Sequence, residues 1–301
     1  MILSRFMLAA GTAILLTACA PATQAQNDFA NVEIKPEQLA PGVAALFGAG
    51  GNIAVSYGED GTVLIDDQFA PLTEKIQKSV AALGASPVKF LINTHWHFDH
   101  TGGNENLGKA GAVIMAHDNV RVRMASEQKR GDRTNPASPK VALPVVTYAE
   151  GVKLHLNGEE VRAIALAPAH TDGDSIIHWT KSNVIHMGDT YFNKVTLPFV
   201  DLSSGGNIRG IVAAADRALA LANDQTKIIP GHGPIATKAD LQAYRKMVSE
   251  VIGKVEAGIK AGKTLDQIKA AKPLDGYDIN VNGFIKPDGF IETVYKSLGG
   301  K

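Results

Sequence analysis

The feature that most constrains this chain is the run Asn93-Thr94-His95-Trp96-His97-Phe98-Asp99-His100-Thr101-Gly102-Gly103-Asn104. It follows directly on Val88–Ile92, an apolar stretch that reads as a buried strand. Four side chains able to ligate a metal, His95, His97, Asp99 and His100, fall within six positions. Imidazole and carboxylate are the groups that zinc accepts beside thiolate, and the one cysteine, Cys19, lies outside the core. His95 and His97 can converge on one ion from an extended strand end. Asp99 and His100, beyond the turn, can face a second.

Three more candidates stand far away in sequence. His170 lies in Pro168-Ala169-His170-Thr171-Asp172-Gly173-Asp174, Asp189 in Met187-Gly188-Asp189-Thr190, and His232 in Pro230-Gly231-His232-Gly233. Each follows an apolar strand run, with Gly or Pro shaping the loop. Ligands gathered from the ends of several strands are how a fold builds a catalytic metal pocket, whereas closed structural zinc sites usually rely on cysteine. Five of the nine histidines join this pattern. His117, His155, His178 and His186 read as ordinary solvent-facing or hydrogen-bonded residues, with support of Asp189 the lesser alternative for His186. Trp96 and Phe98 read as packing under the loop, and Thr171, Asp172 and Asp174 as hydrogen bonds that hold His170. Gly102 and Gly103 are expected to let the backbone turn close to the metals.

Around these loops the chain alternates strands and helices. Val43–Phe47, Asn52–Tyr57 and Thr62–Asp66 read as strands, separated by Gly50-Gly51 and Gly58-Glu59-Asp60-Gly61. Pro71–Leu83 carries Leu72, Ile76, Val80 and Leu83 at helical spacing. Ala112–Met115 is a further strand, and the polar stretch Arg121–Lys140 an exposed flap. Val145–Tyr148, Val152–Leu156, Val161–Ala167, Ser175–Trp179 and Val184–Met187 read as strands, then Ile208–Ala222 as a helix, Lys227–Ile229 as a strand and Lys238–Ala261 as a long helix. The tail from Thr264 to Lys301 offers a small helix or two. Strand-rich stretches in both halves, each followed by helices with no linker, predict an α/β (α+β) fold: a four-layer αββα sandwich in one domain, 41–301.

Composition narrows the class. Of 301 residues, 45% are hydrophobic and 20% charged, so a packed core is expected. Lys+Arg and Asp+Glu balance at 30 each, which argues against nucleic acid as a partner. A single cysteine permits no intrachain disulfide.

The first residues read as an address. Arg5 precedes an apolar stretch, Phe6–Leu16, shorter than the roughly 20 residues a spanning helix needs. Leu16-Thr17-Ala18-Cys19 resembles a bacterial lipobox, with cleavage before Cys19 and lipid on its thiol; the alternative is an ordinary secretory signal cut near Ala25. Residues 1–18 are thus assigned to a signal peptide of lipoprotein type and 19–40 to a tether, of which Ala20–Asp28 is small and polar. Export to the periplasm and anchoring at the outer membrane follow as expectations, with Cys19 as the only membrane contact.

The combination H-x-H-x-D-H, distant His, Gly-Asp and P-G-H-G resembles the metallo-β-lactamase-fold hydrolase superfamily, from about Val43 to the helix after Pro234. The resemblance implies two zinc ions: His95, His97 and His170 on one, Asp99, His100 and His232 on the other, with Asp189 between them or on the second. It implies a zinc-dependent hydrolase acting on a small molecule through a metal-activated water, with Asp99 orienting that water. Gly205-Gly206-Asn207-Ile208 resembles the segment by which many β-lactamases position a substrate carbonyl, so Asn207 is a catalytic candidate. That segment and export make β-lactam hydrolysis, and with it antibiotic resistance, the first expectation. The β-lactamases with that Asn usually carry Cys where Asp189 stands and Lys shortly after. Here Phe192 and Asn193 follow, with Lys194 the nearest cation. Lactones, esters or thioesters are therefore the alternative, and a lipid-anchored zinc-binding accessory protein the non-enzyme one. A monomer is expected.

Overall fold

The structure, a computed structural model, describes residues 29–130 and 133–300. The expected signal peptide and Cys19 lie outside the described residues.

The first sheet begins as a meander, β1 (Lys35–Ala40), β2 (Val43–Phe47), β3 (Ile53–Ser56) and β4 (Thr62–Ile65), each antiparallel to the next. Strand β1 corrects the assignment of residues 19–40 to a tether. Its side chains are Lys, Pro, Glu and Gln with only Leu39 buried, because it is an edge strand with one paired side. The compact unit accordingly starts at Val32 rather than at residue 41.

Helix α1 (Thr73–Ala82) buries Ile76 and Val80, one turn apart. It is the crossover from β4 to the parallel strand β5 (Val88–Ile92), and parallel neighbours require such a crossover over one face of the sheet. The short helices α2 (Phe98–Thr101) and α3 (Asn104–Lys109) lead to β6 (Val113–His117), parallel to β5. The expected flap consists of the end of α4 (Asp118–Met124) and a small hairpin, β7 (Gln128–Arg130) with β8 (Arg133–Asn135). Strand β9 (Val146–Tyr148) completes a seven-stranded sheet in the order β1-β2-β3-β4-β5-β6-β9.

The second sheet has five strands in sequence order: β10 (Gly151–Leu156), β11 (Glu159–Ala165), β12 (Ser175–Trp179), β13 (Val184–His186) and β14 (Lys227–Ile229). Helix α5 (Ile208–Leu221) is the crossover between the parallel pair β13 and β14. Helices α6 (Lys238–Lys260), α7 (Leu265–Ala270) and α8 (Pro287–Ser297) follow.

Alternation along the strands makes the layers. Ile65, Ile92 and Met115 of the first sheet pack with Val161, Ala163, Ile177 and Trp179 of the second. One residue along, Ile176 faces the other way, and with Ile185 and Ile228 it meets Ile211 of α5, Val248 of α6 and Phe290 of α8. Both faces of β12 are therefore covered, which is why all five of its residues are buried. The αββα sandwich matches the expectation. The tail is more than an appendage: Phe290, Ile291, Val294 and Tyr295 of α8 are buried in the helical layer. Each such side chain stabilises the fold by roughly 1.5–3 kcal/mol.

Candidate metal centre

All seven ligand candidates emerge at strand ends on one rim of the sandwich. His95 to His100 follow β5, His170 lies between β11 and β12, Asp189 follows β13 and His232 follows β14. The His95 loop is closed on itself, since Asn93 and Asn104 exchange side-chain hydrogen bonds at 3.0 and 2.9 Å. Two glycines give the ligands room. A Cβ on Gly51 would lie 2.1 Å from His100 Cε1, and one on Gly231 would lie 2.1 Å from Asp189 Oδ1. Gly102 and Gly103 serve a neighbouring contact instead, pressed against Gln68 and Asp67.

The ligands form two groups, His95, His97, His170 and Asp189 in one and Asp99, His100 and His232 in the other, with the ligand atoms of each within 4.8 Å of one another. Asp189 faces both. Its Oδ2 lies 3.6 Å from His170 Nε2 and 4.0 Å from His95 Nε2, and its Oδ1 lies 3.0 Å from His100 Nε2 and 3.4 Å from His232 Nε2. Asp99 Oδ2 stands 3.3 Å from His232 Nε2.

What lies behind each ring decides how its inner nitrogen is used. His170 Nδ1 is 2.8 Å from the Phe199 carbonyl, which can only accept, so Nε2 carries the lone pair. His97 Nε2 meets the Asp201 carboxylate at 3.0 Å, leaving the lone pair on Nδ1. Those two nitrogens are 2.9 Å apart. His100 Nδ1 meets Asp66 Oδ2 at 2.7 Å, and its Nε2 stands 3.4 Å from His232 Nε2. The lone pairs of His97 and His170, turned on one another at 2.9 Å, repel unless a cation shares them. His95 Nε2 is also buried without a hydrogen bond, an orphan that costs about 1–3 kcal/mol. The donor set therefore fits a metal-binding site.

The electrostatics differ between the two groups. Burial, reinforced by the neighbouring imidazoles, holds His95 well below the ordinary histidine value. Burial pulls His232 down too, but the Asp189 charge and hydrogen bonds to Asp189 and Asp99 outweigh it and raise the ring to about 9. For Asp99 burial favours the neutral acid, yet the charges of His100 and His232 and a hydrogen bond from His232 bring it to about 2.

Asp66 and Asp201, which orient His100 and His97, have no counterpart among the sequence expectations. Asp66 was legible only as the end of the Thr62–Asp66 run. Its Oδ1 also accepts from Thr94 N at 2.7 Å, so one carboxylate anchors the ligand loop at both ends. His186, expected to be an ordinary residue, instead holds the loop that carries Asp189: Gly188 N donates to its Nδ1 at 3.1 Å, and its Nε2 donates to the Asn52 carbonyl at 2.9 Å. Asp174 accepts from Thr171 N at 2.9 Å, as expected, while Asp172 pairs with Arg123 at 2.6 Å. Trp96 packs with Val120, Met124 and Leu143, but Phe98 is exposed and lines a cavity rather than packing under the loop.

Asn207, the expected carbonyl donor, lies at the start of α5. Its side chain accepts from Arg209 N at 2.9 Å as the N-cap of α5, the residue is exposed, and it is not among those lining the cavity. That cavity, about 900 Å³, opens on His97, Asp99, Asp189 and His232. It lies in the size range of small-molecule sites.

The sequence pattern of the metallo-beta-lactamase superfamily matches residues 48–233, a span that contains all seven ligands. The hydroxyacylglutathione hydrolase of Polaromonas sp. (strain JS666) is 25% identical over 187 residues, 60% of this chain and 61% of that relative. The chain therefore spans about three fifths of that relative's length. Among solved structures, a sec-alkylsulfatase from Pseudomonas sp. superposes with a TM-score of 0.66 at 16% identity, covering 87% of this chain and 50% of the other. A metallo-beta-lactamase from Pontibacter korlensis gives 0.60 at 17%, covering 72% and 99%. At these identities the likeness is one of fold. Matched over more than half its length and sharing the fold, the chain belongs to the metallo-beta-lactamase superfamily.

Proposed function

We propose that this metal-dependent hydrolase holds two zinc ions and cleaves the carbonyl bond of an ester, lactone or thioester. The observation that carries this is Asp189, whose two oxygens face two ligand groups complete on either side of it. His95, His97 and His170 would hold one ion, and Asp99, His100 and His232 the other. Bound there, zinc supplies a hydroxide at neutral pH and a Lewis acid for the carbonyl.

The chain's own residues do the rest. Asp201, Asp66 and the Phe199 carbonyl fix the rings of His97, His100 and His170, so ligand geometry is set before substrate arrives. Asp99 is ionised at neutral pH and sits on the cavity wall, where it can orient the attacking water and take its proton. Ester-type bonds are favoured over the β-lactam amide because Asn207, the expected carbonyl donor, is not among the residues that line the cavity. Export, lipid on Cys19 and a periplasmic, outer-membrane-anchored monomer complete the proposal, resting on the Leu16–Cys19 order and the apolar Phe6–Leu16 stretch.

Elemental analysis after dialysis, with turnover of a panel of esters, lactones, thioesters and β-lactams, tests it. Two ions per chain are expected, falling to one in His232→Ala. Two ions retained in that variant, or β-lactam cleavage faster than every ester, would overturn the corresponding half.

A further inference from the structure

Five of the ten phenylalanines in the chain line the cavity that opens on the metal ligands. The inner rings brace the ligands. Phe192 stacks on His232 with centroids 5.5 Å apart and planes 3° from parallel, and Phe199 on His97 at 6.0 Å and 25°. The outer rings reach into solvent: Phe98 is 55% exposed and Phe284 77%. Phe98 leans on Phe69 at 5.5 Å, while Phe284 meets Phe199 edge-on at 6.1 Å. The Phe284 loop is pinned to the same wall, since Ile285 N donates to Thr196 Oγ1 at 2.8 Å and Asn280 Nδ2 to the Val195 carbonyl at 3.1 Å. Two large rings held in water at the mouth of a metal cavity lose the burial that would stabilise them, unless the ligand supplies it.

The charges point the same way. No Lys or Arg is among the described residues lining the cavity, and Lys194, beside it in sequence, faces Asp240 at 3.8 Å instead. A carboxylate on the substrate's arm would be desolvated against the rings at the mouth, with no Lys or Arg among the described lining residues to pair with it.

We infer that the substrate is an uncharged ester or lactone bearing a bulky apolar arm, aryl or alkyl, which Phe98 and Phe284 grip at the cavity mouth. This deepens the proposed hydrolase reading and rests on it. Phe98 and Phe284 are specificity residues here, removed from the bond that breaks.

The test is kcat/KM of the metal-loaded full chain on the p-nitrophenyl esters of acetate, butyrate and octanoate, and on the mono-ester of octanedioate, equal in length but ending in carboxylate. The octanoate-to-acetate ratio should be about tenfold or more, and the terminal carboxylate should abolish the gain. Phe98→Ala and Phe284→Ala should each cut that ratio about threefold or more through KM, with Leu at either position restoring most of it. Independently of turnover, the neutral dye N-phenyl-1-naphthylamine should bind the metal-free protein, be displaced by octanamide, and bind more weakly to Phe284→Ala. Equal rates on octanoate and octanedioate esters, or ratios unchanged in both Ala variants, would overturn the inference and leave the hydrolase intact. If no ester is cleaved at all, the ester reading falls, and the dye decides the rest: displacement upholds the apolar arm, no binding overturns it.

Discussion

The two ligand groups are built to different standards of enclosure. In the first, His95 and His170 are 1% and 0% exposed, and the chain places Asp201 and the Phe199 carbonyl behind His97 and His170. In the second, only His100 is fully enclosed, while Asp99 and His232 are 23% and 26% exposed at the cavity floor. A buried, braced group loses little order on binding an ion and releases it slowly; a half-open one exchanges more freely and can meet substrate. The difference separates a holding site from a working site within one cluster.

Asp189 is the test that should break both at once. Asp189→Ala removes the carboxylate common to the two groups, so both ions should weaken and turnover fall about a hundredfold or more. Metal content with kcat checks this, and a variant that keeps two tight ions and full activity would dissolve the idea of a shared bridge. Next in size, Asp66→Asn and Asp201→Asn sharpen the contrast. Each replaces the carboxylate behind one ring by a neutral amide and should cost about 10–100-fold in metal affinity. Competition with a chelator should show the loss in the more weakly held ion for Asp66, behind His100, and in the more tightly held ion for Asp201, behind His97. The same ion weakened by both would mean that the groups are not separable. Smallest is Asn207→Ala, which should lower stability by about 1 kcal/mol as a lost helix cap and leave kcat and metal content alone. A large fall in kcat with unchanged melting would return Asn207 to the catalytic set.

These contrasts also show why the sequence disclosed some parts of the site and not others. The ligands were legible because each sits at a strand exit, and because four crowd into six positions. Their supports were not. Asp201 reaches His97 across 104 residues and Asp66 reaches His100 across 34, distances that only the packed sheets bring together. Strand β1 was missed because an edge strand can be as polar as a linker. Phe284 was missed because it lies in a segment outside strands and helices, where no motif links it to the distant ligands. Asn207 is ambiguous for the opposite reason: Gly-Asn before a helix is as good a cap signal as a substrate motif, and its Oδ1 does cap α5.

The seven ligands are also divided by sheet. Four come from the loop after β5, in the first sheet, and three from loops of the second. Asn52 ties the same seam, donating to the Pro230 and Gly233 carbonyls at 2.9 and 2.8 Å from its place before β3. A nascent chain emerging in order has therefore finished one leaf of the sandwich before the carboxylate that joins the groups exists. Until the second leaf docks, an ion meets only half a nest. Any metal seated here acts as a rivet between the leaves, so that loading and final docking become one equilibrium: scarcity of the ion loosens the seam, and a loosened seam lets the ion go.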